Sequence, residues 1–588
     1  MHRRHVLTSV AALVMFAAAF LHGAGPGSAL ADAAMKGDVA AVRALLAQKA
    51  DVNSAQLDGS TALSWAAYRG DLAMAELLLR AGAKVKTVNR VGMTPLALAT
   101  LDGNAALIDR LLKAGADARE RGPNGETMVM YATSNGSPAA IKVLVAAGAD
   151  VNARENLRNT TALMWAAAGK HPAAVRALIE LGADVGAKSG LSSLPQYRSE
   201  GRVNIPGVQA ARAVRQRAAA AGRTYQEQRE FEMASAVARG RGRGGRRGGA
   251  ETLSEDKVSD TLFAGLLGTD TGGLTPLVFA AREGHVEAAR ALLDGGADVN
   301  QVTQYGWSPL LVATNNRNYR LAQMLVERGA DVNLANKAGW TPLYLATDNR
   351  NIEGGDYPVP KPDVDDLDYI TFLLDHRANV NFNGVTQNTS VRSNFTDGWF
   401  LEAGATAFVR AAQSCDVELM KLLLARGADP KMPTAHGDTA LLVAAGIGWV
   451  DGLQFERSPQ QSVEAVRLLL DLGLDPNYAN PWDGRTALMG AALKGRSAVV
   501  QLLADRGAKL ETRDKGSRDT SQADSVAAGH TWQAIDYADG LIRFATQMSQ
   551  ARPETAALIR RLMAERGLKV PPPNRAFETI CRDVLCED

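Results

Sequence analysis

The tripeptides Thr61-Ala62-Leu63 and Thr94-Pro95-Leu96 lie 33 residues apart, and the same interval separates Thr275-Pro276-Leu277, Ser308-Pro309-Leu310 and Thr341-Pro342-Leu343. Small residues follow each of them, then a Leu-Leu or Leu-Val pair, then Gly-Ala-Asp or a close variant. A period of this length marks one supersecondary unit, too small to cover its own apolar face and stable only when stacked on copies of itself. The chain is therefore an elongated array rather than one globular core. Arrays of this kind bind; they seldom catalyse.

One unit shows how the stacking works. In Gly92-Met93-Thr94-Pro95-Leu96-Ala97-Leu98-Ala99-Thr100, Thr94 is placed to cap a helix and Pro95 takes its first position, where a missing N–H costs nothing. Leu96 and Ala99 share a face, and the small Ala admits a neighbouring helix. After a break at Asp102-Gly103-Asn104, the spacing of Leu107, Ile108, Leu111 and Leu112 predicts a second helix over Ala105 to Ala114. Gly115 ends it as a left-handed cap. A loop then leads to the next unit.

The recurring Gly-x-Thr-Pro-Leu, Ala-Ala, Gly, Leu-Leu, Gly-Ala-Asp-Val-Asn order resembles the ankyrin repeat. The stretch Thr275-Pro276-Leu277-Val278-Phe279-Ala280-Ala281-Arg282-Glu283-Gly284-His285, followed by Gly296-Ala297-Asp298-Val299-Asn300, fits it nearly throughout. The resemblance implies an all-α solenoid of about eleven to twelve helix–turn–helix repeats with hairpin-like fingers, a concave binding face, protein ligands and no cofactor. A degenerate first repeat runs from Asp32, keeping only Leu45-Leu46 and Ala50-Asp51-Val52-Asn53 of the pattern. Others begin near Gly59, Gly92, Gly125 and Asn159, then near Gly273, Gly306, Gly339, Gly404, Gly437 and Gly484. A weak last copy spans Gln533 to Leu568.

The domain boundaries follow. Residues 1–31 read as a leader: Arg3-Arg4, an apolar run from Val6 to Leu21, and the small-x-small site Ala29-Leu30-Ala31, with cleavage after Ala31. This predicts the periplasm or secretion, a bacterial source from the Ala-rich run, and no membrane span once the leader is removed. Arg3-Arg4-His5-Val6-Leu7 leaves general and twin-arginine export both open. Residues 32–189 hold the N-terminal repeats, 190–271 an Arg/Gly-rich insertion, 272–570 the C-terminal repeats and 571–588 a tail. Two further insertions lengthen one inter-helix turn around Asp356 to Pro362 and one finger from Asn383 to Ala403; Phe455 to Ser462 widens a later unit.

Charge is regional. The whole chain is +2, while residues 190–250 carry 12 Arg against 4 Glu, a local +8. The run Arg239 to Gly249 reads as disordered low complexity: a solvated linker, or a segment docking an acidic surface. Arg-Gly stretches also contact nucleic acid. Export and the lack of interleaved aromatics argue against that partner here.

Catalytic and metal motifs are missing: no His-Glu-x-x-His, Cys-x-x-Cys, phosphate-binding loop or Gly-x-Ser-x-Gly. His171, His285, His376, His436 and His530 are scattered, and His285 takes a structural position in the resemblance. Asp363, Asp365, Asp366 and Asp368 lack the spacing of a calcium loop and suit a helix N-terminus. Of the 3 cysteines, Cys415 is expected to be a buried thiol, and Cys581 with Cys586 forms a candidate disulfide closing a small loop.

Candidate partner-binding residues come from the resemblance, which places finger tips beside the repeat Gly and inner-helix ends after the Ala-Ala pair. Tyr305, Trp307 and Trp340 take finger positions; Asn315, Asn316, Asp348 and Asn349 take helix ends. Aromatics beside amides suit protein hot spots, although a Trp after the Gly also serves to pack neighbouring fingers. Trp482 takes a later finger position, and Tyr68 and Arg69 an earlier helix end. The chain reads as a monomeric, non-catalytic protein-binding scaffold acting after export. The rival readings are a secreted effector or inhibitor, a stabilising partner for an exported enzyme, and an enzyme with its site in the insertions.

Overall fold

The computed structural model describes residues 28–190, 272–351, 361–385, 403–448, 457–515, 531–541, 543–544, 547–548 and 551–573. These fall into two units that divide between Gln304 and Tyr305.

The first unit holds six inner–outer helix pairs: α1 (Ala29–Lys36) with α2 (Val39–Ala47), α3 (Ala62–Tyr68) with α4 (Leu72–Arg80), α5 (Pro95–Asp102) with α6 (Ala105–Lys113), α7 (Met128–Thr133) with α8 (Pro138–Ala146), α9 (Ala162–Ala168) with α10 (Pro172–Glu180), and α11 (Pro276–Glu283) with α12 (Val286–Asp294). The start of each inner helix is written in its tripeptide. The Thr94 hydroxyl accepts from Ala97 N–H and Thr275 from Val278 N–H, with Pro95 and Pro276 at the first helical positions. Inner helices stack on inner helices, and outer on outer from α4 onward. The inner ones are apolar almost all round, because those inside the stack are sandwiched between two others and backed by their outer partners. Leu96, Ala99, Ala280 and Ala281 are fully buried. Outer helices show only a stripe: Leu107, Ile108 and Leu111 are buried, and Leu112 is half-buried.

Two boundaries differ from the sequence reading. The first repeat is not degenerate. Its inner helix α1 already begins at Ala29, with the Ser28 hydroxyl donating to Asp32 at 3.1 Å, and Leu30 and Ala31 are 1% and 0% exposed within it, so a cut after Ala31 would pass through that helix. Ala-Leu-Ala reads equally as a processing site and as a helix start, which hid the repeat. The long insertion does not interrupt the stack either, since α9 packs directly on α11. Its two roots are bonded side by side, Ser189 N–H to Leu274 O at 2.9 Å and Gly273 N–H to Ser189 O at 2.9 Å, where a finger tip would otherwise close. Residues 191–271, including Arg239 to Gly249, lie outside the described residues.

The second unit repeats the scheme with α13 (Pro309–Asn315) and α14 (Tyr319–Glu327), α15 (Pro342–Asn351) and α16 (Asp366–Asp375), α17 (Ala407–Gln413) and α18 (Val417–Ala425), α19 (Ala440–Ala445) and α20 (Pro459–Asp471), α21 (Ala487–Lys494) and α22 (Ser497–Asp505), and α23 (Ala534–Ala538) and α24 (Pro553–Glu565). A two-residue hairpin, β1 (Arg543–Phe544) against β2 (Gln547–Met548), links the last pair. The extra residues of this unit fall in the inter-helix turns between α15 and α16, between α19 and α20 and between α23 and α24, and in the fingers between α16 and α17 and between α22 and α23. Asp365 caps α16 by accepting from Leu367 N–H at 2.8 Å, as the acidic run implied. Cys415 is buried, its Sγ 3.3 Å from Ala444 O.

Inter-helix turns demand a left-handed residue. Gly103 supplies it at φ 78°, and a Cβ there would meet the Asn135 amide at 2.1 Å. Among the described residues, no helix is long and apolar enough to cross a membrane.

Candidate binding surface

Several fingers are tight turns held to a neighbour by one backbone bond. Arg90 N–H donates to Asp58 O at 2.6 Å, Asn156 to Asn124 O at 3.0 Å, Lys337 to Tyr305 O at 3.1 Å and Lys515 to Asp483 O at 2.7 Å. Past the tip the chain turns back into its inner helix, so the residue just before the cap points under the finger. Ser60, Met93, Leu274, Trp307, Trp340 and Ala405 all occupy that position, and all are buried.

This overturns the accessibility expected of the aromatic pair. Trp307 is 1% exposed and Trp340 2%, the latter ring tilted against Tyr344 at 5.8 Å. Both are packing residues. Asp348 and Asn349 are also buried: the longer turn after α15 lets that helix run on to Asn351, placing both inside it rather than at its end. Asn349 Nδ2 donates to Thr314 O at 2.8 Å and to the Tyr319 hydroxyl at 3.1 Å. Only Tyr305, Asn315 and Asn316 remain half-exposed; Lys337 lies 5.7 Å over the Tyr305 ring, and Asn316 folds back onto Val312 O. The seven residues do not form one accessible patch. Cys581 and Cys586 lie outside the described residues.

What gathers at those helix ends instead is an ionic network. Arg410, 2% exposed, donates from Nε to Asp348 Oδ1 at 2.8 Å, from Nη1 to Ser414 and from Nη2 to Asn351 O. Asp416, 1% exposed, accepts from Arg350 at 2.8 Å and from Arg457 at 2.9 Å, while Arg350 also reaches Glu418. Burial lowers the Arg350 guanidinium's affinity for its proton, but Asp416 and Glu418 more than restore it. The network joins α15, α17 and the root of α20, beside the lengthened turns after α15 and before α20. Sequence carried one signal for it: Arg410 stands where the other repeats place Trp65, Leu98, Phe279, Val312 and Leu345.

The accessible apolar side chains sit on fingers. Leu57 is 74% exposed, Val88 56%, Val91 41% and Trp482 57%; Tyr68, at an inner-helix end, is 42% exposed. His436 meets the Trp482 ring edge-on at 5.8 Å. Among the described residues, no group of three or more His, Cys, Asp or Glu is arranged to hold a metal ion.

Stacked helix pairs with projecting fingers define a helical-repeat solenoid in each unit. A family model for ankyrin repeats in three copies matches residues 30–121, 96–189, 255–336 and 408–514, more than half of the chain. The chain belongs to the ankyrin-repeat family. It is 35% identical over 95 residues to an ankyrin repeat and KH domain-containing protein of Caenorhabditis briggsae, covering 16% of this chain and 3% of that one. A putative ankyrin repeat protein of Acanthamoeba polyphaga mimivirus is 30% identical over 92 residues, 14% of this chain and 56% of the relative. The chain thus spans only part of the relatives' length, and a nematode and a virus give no support to a bacterial source. The crystal structure of the human ASB11 ankyrin repeat domain matches at 22% identity with a TM-score of 0.34, covering 52% of this chain and 99% of that one.

Proposed function

We propose that this chain is a non-catalytic scaffold that binds a partner protein along its fingers and inner-helix ends, after export directed by its first residues. Ankyrin repeats generally mediate protein–protein contact, and proteins of this family are typically not enzymes. The observation that carries the reading is where apolar surface remains. Inner helices and the residues under the fingers are buried, whereas Leu57, Val88, Val91 and Trp482 stand exposed on finger tips. Exposed apolar groups rimmed by polar ones mark interaction surface. Export rests on the leader composition alone, and so does a bacterial source.

Crosslinking of the full chain to a partner captured from its native compartment tests this. Finger lysines Lys86, Lys188 and Lys337 should crosslink, and outer-helix lysines Lys113, Lys142 and Lys421 should not; all six are exposed. Crosslinks confined to the outer helices, or no captured protein, would sink the proposal. Trp307→Ala is a poor probe of binding, because emptying that site costs about 3–5 kcal/mol of fold stability.

A further inference from the structure

We infer that the finger row of the first unit takes an acidic peptide segment bearing aliphatic side chains; this deepens the scaffold reading and rests on it. The tips carry Lys86, Arg90, Arg119, Arg121, Arg154, Arg158 and Lys188, all exposed except the half-buried Arg154. Four carboxylates share these tips, each hydrogen-bonded locally. Asp58 accepts from the Ser60 N–H and hydroxyl at 2.9 and 2.8 Å. Glu120 accepts from the Thr94 hydroxyl with Lys86 in its field, and burial raises its pKa. Glu126 and Glu155 are 9% and 5% exposed and close their own turns, on Asn124 N–H and on the Arg158 and Thr160 N–H groups. Asp51, Asp117 and Asp150 stand at the finger bases, each accepting from the backbone two residues on.

The arginines, by contrast, are held by carbonyl oxygens. Arg90 donates to Leu57 O at 2.9 Å, Arg121 to Arg154 O at 2.8 Å, Arg154 to Lys188 O at 2.6 Å and Arg119 to Gly148 O at 3.0 Å. Carbonyls orient a guanidinium without neutralising it. Among the described residues none of the seven basic groups forms an ion pair with a carboxylate. The tips thus carry seven basic groups against four carboxylates, four of the arginines pre-oriented, with aliphatic side chains at Leu57, Val88 and Val91 between them. Complementarity of charge selects an acidic occupant, and the aliphatic tips ask for apolar side chains in it. Residues 190–250 of the chain's own insertion, with 12 Arg and 4 Glu, have the wrong sign to lie there, whereas residues 251–271, with Glu251, Glu255, Asp256, Asp260 and Asp270 against Lys257, have the sign of the proposed occupant and would compete with it.

Fluorescence anisotropy of the full chain tests this with three labelled probes: a short peptide of alternating Glu and Leu, its Lys–Leu counterpart, and a single-stranded DNA oligonucleotide. The Glu–Leu peptide should bind, should weaken with added salt, and should outcompete the other two. Lys86→Glu with Arg158→Glu and Lys188→Glu should weaken it about tenfold or more, with helix content unchanged by circular dichroism. Leu57→Ser with Val91→Ser should weaken it at constant salt dependence. If charge reversal disturbs the fold, the Gln versions of the same three residues carry the test with a smaller fall. Equal binding of the two peptides, tighter binding of the oligonucleotide, or indifference to both variant sets would overturn the inference. Finger crosslinks to a native partner alongside such a result would leave the scaffold standing and remove only its preference for acid.

Discussion

His171 shows how one side chain couples neighbouring repeats. Its Nε2 lies 3.2 Å from Ser134 O, in the turn between α9 and α10. Burial pushes its pKa below the ordinary value; the Ser134 bond pulls it back up and nearby His285 lowers it further. For a base depressed in the folded state, the unfolded chain takes the proton first. Stability therefore falls as pH drops below about 6.5 and levels off once the folded form also protonates. Thermal melts of the full chain between about pH 7.5 and 5.5 should show that fall, and His171→Asn should flatten it. Parallel slopes would remove His171 as the cause. Trp307 and Trp340 teach a related lesson at the same scale. Their equivalents Met93 and Leu274 are apolar too, a hint in the sequence that the position faces inward.

Among elements, α17 stands out for a buried cation at its centre: Arg410 at 2% exposure faces Asp348 of α15 at 7%. A buried pair gains little over a hydrophobic replacement of both partners, but removing one leaves a stranded charge. Arg410→Met should cost about 3–5 kcal/mol in urea denaturation, and Arg410→Met with Asp348→Leu should recover a good part of it. Additive losses would show that the two do not act as a pair. The network ties Asn351 and Arg457, the described residues that flank the turns after α15 and before α20, to Arg410 and Asp416. Helix starts and ends were readable here: caps, Pro at the first position and Leu stripes are local chemistry. The extension of α15 to Asn351 was not, because it depends on contacts with α17 made across about 60 residues of chain.

For the molecule as a whole, both units bury tyrosines. Tyr131 in the first, and Tyr319, Tyr369 and Tyr537 in the second, are pushed above their ordinary value chiefly by burial. Tyr319 also stacks on Tyr369 at 4.2 Å and donates to Asp366 at 2.6 Å. An acid raised in the folded state stabilises fully below its unfolded pKa and progressively less above it. Stability should hold up to about pH 10 and then fall, with a group of tyrosines ionising only as the helices melt. Tyrosinate absorbance rising to completion before the circular dichroism changes would contradict this.

The sequence by itself determined the repeat, the two-helix unit and the family, because period, caps and small residues act over a few positions and recur. Tertiary structure decided which side chains are left for a partner. Burial depends on what the neighbouring repeat places opposite, so Trp307 and Trp340 went under the fingers while Leu57, Val88, Val91 and Trp482 stayed out. Neighbouring repeats also supply the carbonyl oxygens that orient Arg90, Arg121, Arg154 and Arg119, contacts that no single repeat contains.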